Sequence, residues 1–411
     1  MKTPTTGERP RVLIVGLGIT GMACAIRLHR LGWQPVIIER ASARRKGGYT
    51  LWLFGAGRAT AGRLGILDAV TNRVHPDYHT YEINRANQRR KGFSFNDLPD
   101  SPRMVLRGDV ESALFTALPP DVEIRFSTTP LEIKQDPEGV SVTLKDLQAG
   151  ATDVERFALV VGADGIRSSV RRLVFGPHEE YLHPLNYMIA TCILRQPVEG
   201  YANDEGFILA EARRSAWVFS YADHHPTVLF SYRTDDVSAE LSCPPIESLR
   251  RAFGPQPTGS VLGQLLNQYE AADQALFDSV NLVKMDRWHR GRVVLAGDAA
   301  WCMTLYSGMG ASVGMAGGEL LGNMLETYPD NLELALGRWE ERMRPFVEGL
   351  QRGALGLRVF FTPQSEVQRM VRAAVFYLIT RPAVIRIIER LNKGKDLRAF
   401  DIVTHRLSAR T

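Results

Sequence analysis

The sequence predicts an α/β fold in which a parallel-sheet domain is interrupted by an antiparallel sheet and followed by a helical C-terminal segment. Three observations carry this. Short β-branched apolar runs at residues 12–15, 159–161 and 293–295 each end in a glycine-containing turn, as buried parallel strands do. From about Leu182 to Asp236 the pattern shifts to apolar–polar alternation with many aromatics, the mark of antiparallel strands. Beyond Gln351 the apolar spacing is helical.

The first run leads into Gly16-Leu17-Gly18-Ile19-Thr20-Gly21, and Ile19, Met22, Ala23 and Ile26 then recur at helical spacing against Arg27 and Arg30. Gly16 permits the tight turn, Gly18 lets a pyrophosphate approach the backbone, and Gly21 lets helix and strand pack closely. Ile19 and Thr20 open the helix, where unpaired N–H groups and the positive end of the dipole face an anion. A second strand, residues 36–38, ends at Glu39, about 20 residues past the loop, where a carboxylate accepts hydrogen bonds from a ribose. Strand, glycines, helix, strand and acid together define a Rossmann-like dinucleotide fold.

Two more strand ends carry signatures, Gly162-Ala163-Asp164-Gly165 and Gly297-Asp298-Ala299-Ala300. Three converging strand ends imply a long cofactor lying across the sheet, with a different contact for each section. A further loop, Gly308-Met309-Gly310, opens a small-residue helix at Ala311 whose first N–H groups could neutralise an anion. The nucleotide domain is expected to be discontinuous, from residues 10–75, 100–180 and 280–345. Residues 76–99 and 181–279 form the inserted domain and 346–411 the helical C-terminal region.

Within the insert, residues 216–221 and 228–232 read as strands paired across 222–227. A period of two places Trp217, Phe219 and Tyr221 on one face of the first strand, and Phe230 and Tyr232 on one face of the second. These five are the candidate wall of a pocket for a large apolar or aromatic molecule, with ordinary core packing between sheet and helices the alternative for each of them. In the tail, residues 366–380 have helical apolar spacing, and Pro382 suits the first turn of another helix ending near Leu391. Arg369, Arg372, Arg381, Arg386, Arg390 and Lys393 make this region basic; docking on the protein itself is favoured over peripheral membrane contact.

Composition narrows the classes. At 411 residues the chain exceeds a single core. A net charge of +5 is modest, so the Arg89-Arg90-Lys91 run reads as a solvated loop, and no nucleic-acid signature accompanies it. Cys24, Cys192, Cys243 and Cys302 are far apart, which argues against a disulfide framework or a metal site and fits a reducing cytoplasm. No apolar run reaches the ~18 residues of a membrane span, and the N-terminus shows no signal-peptide pattern, so a cytoplasmic location is expected.

Taken together, these motifs resemble the flavin-dependent monooxygenases of the para-hydroxybenzoate hydroxylase type, which include tetracycline-inactivating hydroxylases. The resemblance rests on Gly16/Gly18/Gly21, Glu39-Arg40, Gly47-Gly48, Arg107 in Leu106-Arg107-Gly108-Asp109-Val110, Gly162-Ala163-Asp164-Gly165, Gly297-Asp298-Ala299-Ala300 and Gly308-Met309-Gly310. It covers roughly residues 11 to 345 and implies bound FAD with NADPH or NADH as co-substrate. By that similarity Glu39 holds the adenosine ribose, and Arg40 and Arg44 border the adenosine and pyrophosphate. Arg107 lies along the flavin, Asp298 bonds the ribityl chain, and the Asp164 motif serves both FAD and the visiting nicotinamide. Arg167 is the candidate contact to that visitor, with Arg171 and Arg172 as alternates. Two positions depart from the pattern: Trp301 stands where relatives have His, and Leu305 where they have Pro.

The implied activity is an NAD(P)H- and oxygen-dependent monooxygenase that hydroxylates or epoxidises an apolar or aromatic small molecule, of the kind used in secondary metabolism. No candidate base is evident, so hydroxylation and epoxidation both stand. A flavin reductase of the same fold and a non-redox cyclase or binding protein are the alternatives. A flavin halogenase is disfavoured by the absence of Trp-x-Trp-x-Ile-Pro.

Overall fold

The computed structural model describes residues 9–44, 48–94, 102–379 and 400–405. Gly47 and the expected helix from Pro382 to Leu391, with Arg381, Arg386, Arg390 and Lys393, lie outside the described residues.

A six-stranded sheet runs in the order His289–Arg290, Val293–Leu295, Leu159–Gly162, Arg11–Val15, Gln34–Ile38, Glu123–Arg125. All its pairings are parallel except that of the two-residue edge strand. The strand interiors are buried on both faces, which is why they read as unbroken β-branched runs. Register does the functional work. Val15 pairs with Gly162 and with Ile38, and Gly162 pairs with Leu295, so the three glycine motifs leave the sheet side by side at its carboxyl edge. That edge is where open α/β sheets bind ligands. The turns are locked to neighbouring strands: Gly16 N–H donates to the Ile38 carbonyl (2.8 Å), Ala163 N–H to Val15 (2.8 Å) and Ala296 N–H to Gly162 (2.9 Å).

The helix Ile19–Arg30 packs against the long helix Gly310–Thr327. Small residues set their separation. A Cβ on Gly314 would sit 2.4 Å from the Thr20 Oγ1, and one on Gly318 would sit 2.9 Å from the Cys24 nitrogen. The later glycines of this helix therefore serve packing, while its start faces the cleft.

The seven-stranded sheet runs Ala275–Val283, Leu182–Ile193, Thr227–Arg233, Arg214–Phe219, Glu205–Glu211, His79–Ile83, Arg89–Lys91. Arg89–Lys91 is thus an exposed edge strand rather than a free loop, and cationic edges discourage edge-to-edge pairing. One face of the sheet joins the main core through Trp217, Phe219 and Tyr221. The other is covered by the helices Pro245–Phe253 and Gly259–Glu270, forming a second core. Phe230 and Tyr232 belong to this second core, contrary to their expected place on the substrate wall. Ala216 pairs directly with Phe230, so Phe230 takes the face of Ala216 and not that of Trp217. Phe230 packs edge-on against Phe253 and Tyr269, and the Tyr232 hydroxyl donates to Glu240 (2.9 Å).

Smaller sheets, Thr50–Leu53 with Arg103–Leu106 and Thr128–Gln135, Val140–Asp146, Thr152–Phe157, complete the β structure. A 30-residue helix, Leu332–Phe361, then turns into the helix Glu366–Ile379. Among the described residues no helix is long and apolar enough to cross a membrane, and no His, Cys, Asp and Glu group could hold a metal ion.

Candidate active site

A cavity of about 720 Å³ opens at the carboxyl edge of the parallel sheet and extends beneath the seven-stranded sheet. Its two halves differ in chemistry. The first is backbone-rich: Gly18, Ile19, Thr20, Ala163, Gly165, Gly308, Gly310 and Ala311 line it, with Arg107, Asp164 and Asp298. The second is apolar, built from Trp52, Phe54, Ile189, Phe219, Leu229, Leu276, Leu357, Phe360, Phe361 and Phe93.

The glycines divide by role. A Cβ on Gly18, Gly165 or Gly310 would meet nothing within 4 Å, so the backbone there is bare toward the cavity. Gly16 and Gly21 are internal instead: their Cβ atoms would fall 2.5 Å from the Ala163 carbonyl and 2.0 Å from the Gly16 carbonyl. Only glycine lets loop, strand and helix approach so closely. Glu39 ends its strand by accepting from Leu17 N–H (3.0 Å) and Ala41 N–H (2.9 Å), which fixes its carboxylate against the loop. Arg40 is exposed, and Arg44 is held by Ser112 (3.2 Å) and over the Phe115 ring at 4.0 Å. Glu39, Arg40 and Arg44 are not among the residues that line the cavity.

Arg107 starts its helix with the guanidinium bonded to Glu111 (2.9 Å) and the Tyr49 hydroxyl (3.0 Å), and these partners hold its proton more tightly than usual. Asp298 opens onto the cavity, and desolvation raises its carboxyl above the ordinary value, with Arg107 opposing. Asp164 also lines the cavity, but its carboxylate turns inward. It accepts from Ser169 N–H (2.6 Å), Ser169 Oγ (2.7 Å) and Ser168 Oγ (2.5 Å), capping the helix Ser169–Val174. Arg171 is fully buried and donates to the carbonyls of Ala299 (2.8 Å) and Ile166 (2.6 Å), tying the second motif to the third. It is therefore closed to a visiting dinucleotide. Arg167 and Arg172 are both exposed; Arg167 lines the cavity wall in a two-pronged ion pair with Asp278 (2.8 and 2.5 Å), and Arg172 does not line it.

Of the five aromatics expected to wall the pocket, Phe219 alone lines it. Trp217 and Tyr221 share its face, as the alternation requires, but other elements cover them. The Trp217 indole N–H lies 3.3 Å from the Phe361 carbonyl and its ring 4.7 Å from that of Phe361. Tyr221 is buried with its hydroxyl on Thr50 (2.7 Å) and Thr227 (3.0 Å). The wall that sequence reasoning missed comes from Phe93 and from the pair Phe360 and Phe361, which sit far apart along the chain in segments with no distinguishing pattern.

The two departures separate as well. Trp301 points away from the cavity into a cluster with Trp288 (ring centroids 4.7 Å apart) and Trp339 (5.6 Å), one face on Gly317. Leu305 lines the cavity in the short turn Leu305–Ser307, behind Thr304, whose φ of +65° is unusual for a β-branched residue.

Bare glycine backbone at two strand–helix turns, a third helix start facing the same space and a carboxylate at the third strand end form a cradle that fits FAD. Residues 9–328 match the FAD binding domain family, and the chain belongs to that family. A flavin-dependent monooxygenase from an unknown prokaryotic organism is 29% identical over 373 residues, 89% of this chain and 93% of its own. One from Legionella longbeachae is 26% identical over 88% of this chain and 92% of its own. Among solved structures, a tetracycline destructase superposes with a TM-score of 0.76 at 23% identity, covering 98% of this chain and 100% of its own. A 2-methyl-3-hydroxypyridine-5-carboxylic acid oxygenase gives 0.71 at 22%, covering 98% and 99%. The protein is an FAD-dependent monooxygenase.

Proposed function

We propose that the chain uses NADPH or NADH and molecular oxygen to hydroxylate or epoxidise an uncharged, largely aromatic small molecule held in the apolar half of the cavity. One observation carries the substrate class: both cations on the cavity wall are already paired, Arg107 with Glu111 and Arg167 with Asp278. Among the described residues no unpaired cation lines the cavity to anchor a carboxylate, while Phe219, Phe360, Phe361, Phe93 and Leu357 offer flat apolar surface.

When bound, FAD would supply the redox chemistry and the activation of oxygen. The chain's residues would supply position and environment. Gly18 and the first N–H groups of the helix Ile19–Arg30 would hold the pyrophosphate, and Asp298 would accept from the sugar-alcohol chain. The N-terminus of Gly310–Thr327, with Arg107 nearby, would stabilise negative charge on the ring system. The aromatic wall would exclude water from the reacting edge of the substrate. Arg167, exposed on the cavity wall beside the second glycine motif, would meet a dinucleotide arriving from solvent.

The test is oxygen uptake by the FAD-loaded protein with NADPH, with and without polycyclic phenols or indoles. Uptake that requires NADPH and rises with such a compound supports the reading. Flavin reduction and substrate turnover without oxygen uptake would point to a reductase, and no turnover at all to a binding role.

A further inference from the structure

Arg372 lies in the helix Glu366–Ile379, where the sequence shows only a basic amphipathic stretch, yet it is 4% exposed. A buried arginine is costly unless its charge and donors are met. Here the charge and two of the three nitrogens are met by parts of the chain remote in sequence. Nη1 lies 2.9 and 2.8 Å from the two carboxylate oxygens of Glu82, on the strand His79–Ile83 of the seven-stranded sheet. Nε donates to the carbonyl of Phe360 at 2.6 Å. The guanidinium also lies 4.2 Å from the Phe376 ring centroid and 5.6 Å from that of Trp217. Nη2 is buried with no hydrogen-bond partner, so the group accepts an unmet donor to hold this position.

What it holds is the cavity's missing wall. Phe360 packs edge-on against Phe376 (4.3 Å) and Phe93 (5.7 Å), and Phe93 stacks on Phe376 (5.5 Å). Phe93, Phe360 and Phe361 all line the cavity; Arg372 and Glu82 do not. The junction between the two C-terminal helices is pinned again just beyond, where Thr362 Oγ1 donates to Ser231 (2.9 Å) and the Pro363 carbonyl accepts from Arg213 N–H (2.6 Å).

We infer that Arg372, through Glu82 and the Phe360 carbonyl, is a positioning residue that fixes the Phe93–Phe360–Phe361 wall and so decides which ring systems the cavity accepts. A planar guanidinium meets three demands at once: an ion pair with Glu82, a hydrogen bond to a backbone carbonyl from a second edge, and a flat face on Phe376. Lysine has a point charge and can satisfy the ion pair alone. This inference rests on the aromatic-substrate reading, and it is tested by binding without turnover so that the two can fail separately.

Equilibrium dialysis of the FAD-loaded protein would measure Kd for a flat probe, β-naphthol, and a bulky non-planar one, para-cyclohexylphenol. The wild type should prefer the flat probe by about tenfold. Arg372→Met alone strands the Glu82 charge and is expected to unfold more readily, so the informative variant is Arg372→Met with Glu82→Leu, which removes the whole buried pair. That double variant should keep its flavin and its melting temperature but lose the preference, the two Kd values coming within about twofold. Arg372→Lys should lose it too. A merely structural role predicts that the double variant regains stability and preference together. That outcome, full rescue by lysine, or a wild type with no preference between the probes would overturn the proposal. Loss of preference in the double variant with no aromatic stimulating NADPH oxidation would leave it standing and overturn the proposed substrate class instead.

Discussion

Gly18 and Gly21 stand three residues apart, before and inside the start of the helix Ile19–Arg30, and should respond to substitution in opposite ways. The space at Gly18 is open, so Gly18→Val should fold and yet bind no FAD, because the new side chain occupies the pyrophosphate position. Gly21→Val would drive a Cβ into the Gly16 carbonyl and should fail to give soluble protein at all. Flavin absorbance and thermal melting of the two variants separate these outcomes. At Asp298, replacement by Ala removes a charge-assisted hydrogen bond of about 1.5–3 kcal/mol, so FAD affinity should fall roughly ten- to a hundredfold in a titration. Its raised pKa has a consequence for the FAD-free protein. Between the unfolded and folded pKa values the native state binds more protons, so stability declines as pH rises through that window. Asp298→Asn removes this dependence. The variant should melt above the wild type at pH 7, and the gap should close once pH falls below the ordinary carboxylate range. Arg167 is testable directly: Arg167→Ala should slow flavin reduction by NADPH at fixed concentration, and an unchanged rate would rule out the contact.

At the scale of elements, the strand Arg214–Phe219 carries two neighbouring aromatics with different duties. Phe219 faces the cavity, so Phe219→Ala should raise the substrate requirement roughly tenfold, the worth of about 1.5–3 kcal/mol of lost burial, while FAD content stays unchanged. Trp217 is 2% exposed and wedged against Phe361, so Trp217→Ala should cost about 3–5 kcal/mol of stability and shed flavin with it. Steady-state kinetics beside thermal melting distinguishes the two. The alternation at Trp217, Phe219 and Tyr221 was legible because a strand's period of two is fixed by backbone geometry. What covers that face was not, because Phe361 lies in a helix over a hundred residues away and reads as one more apolar position. Nor could Phe230 be placed. Its side of the sheet depends on the hairpin register, Ala216 opposite Phe230, and that register is set by the connecting segment's conformation rather than by the aromatics themselves.

At the scale of the whole molecule, the nucleotide half was largely legible and the substrate half was not, for one physical reason. Phosphate binding needs particular glycines at particular offsets, so Gly16, Gly18 and Gly21 leave a local trace in the sequence. An apolar wall needs only bulk at the right place in space, and Phe93, Phe360 and Phe361 come from three-dimensional convergence. The same contrast explains Trp301. Read locally it stands out of pattern beside Asp298; in the fold it completes an interior contact with Trp288 and Trp339 and has no part in the cavity.

That indole cluster also has an optical consequence. Three of the six tryptophans lie with ring centroids 4.7, 5.8 and 5.6 Å apart, at fixed and non-parallel tilts. Transition dipoles so close and so skewed couple strongly and lend the chain a near-ultraviolet circular dichroism band of largely local origin. Since Trp301 ends the turn that begins at Gly297 and Asp298 and Trp339 sits on the helix Leu332–Phe361, the band reports on the packing of that helix against the third strand end. Its disappearance before the far-ultraviolet signal on heating would mark that corner as the first to open.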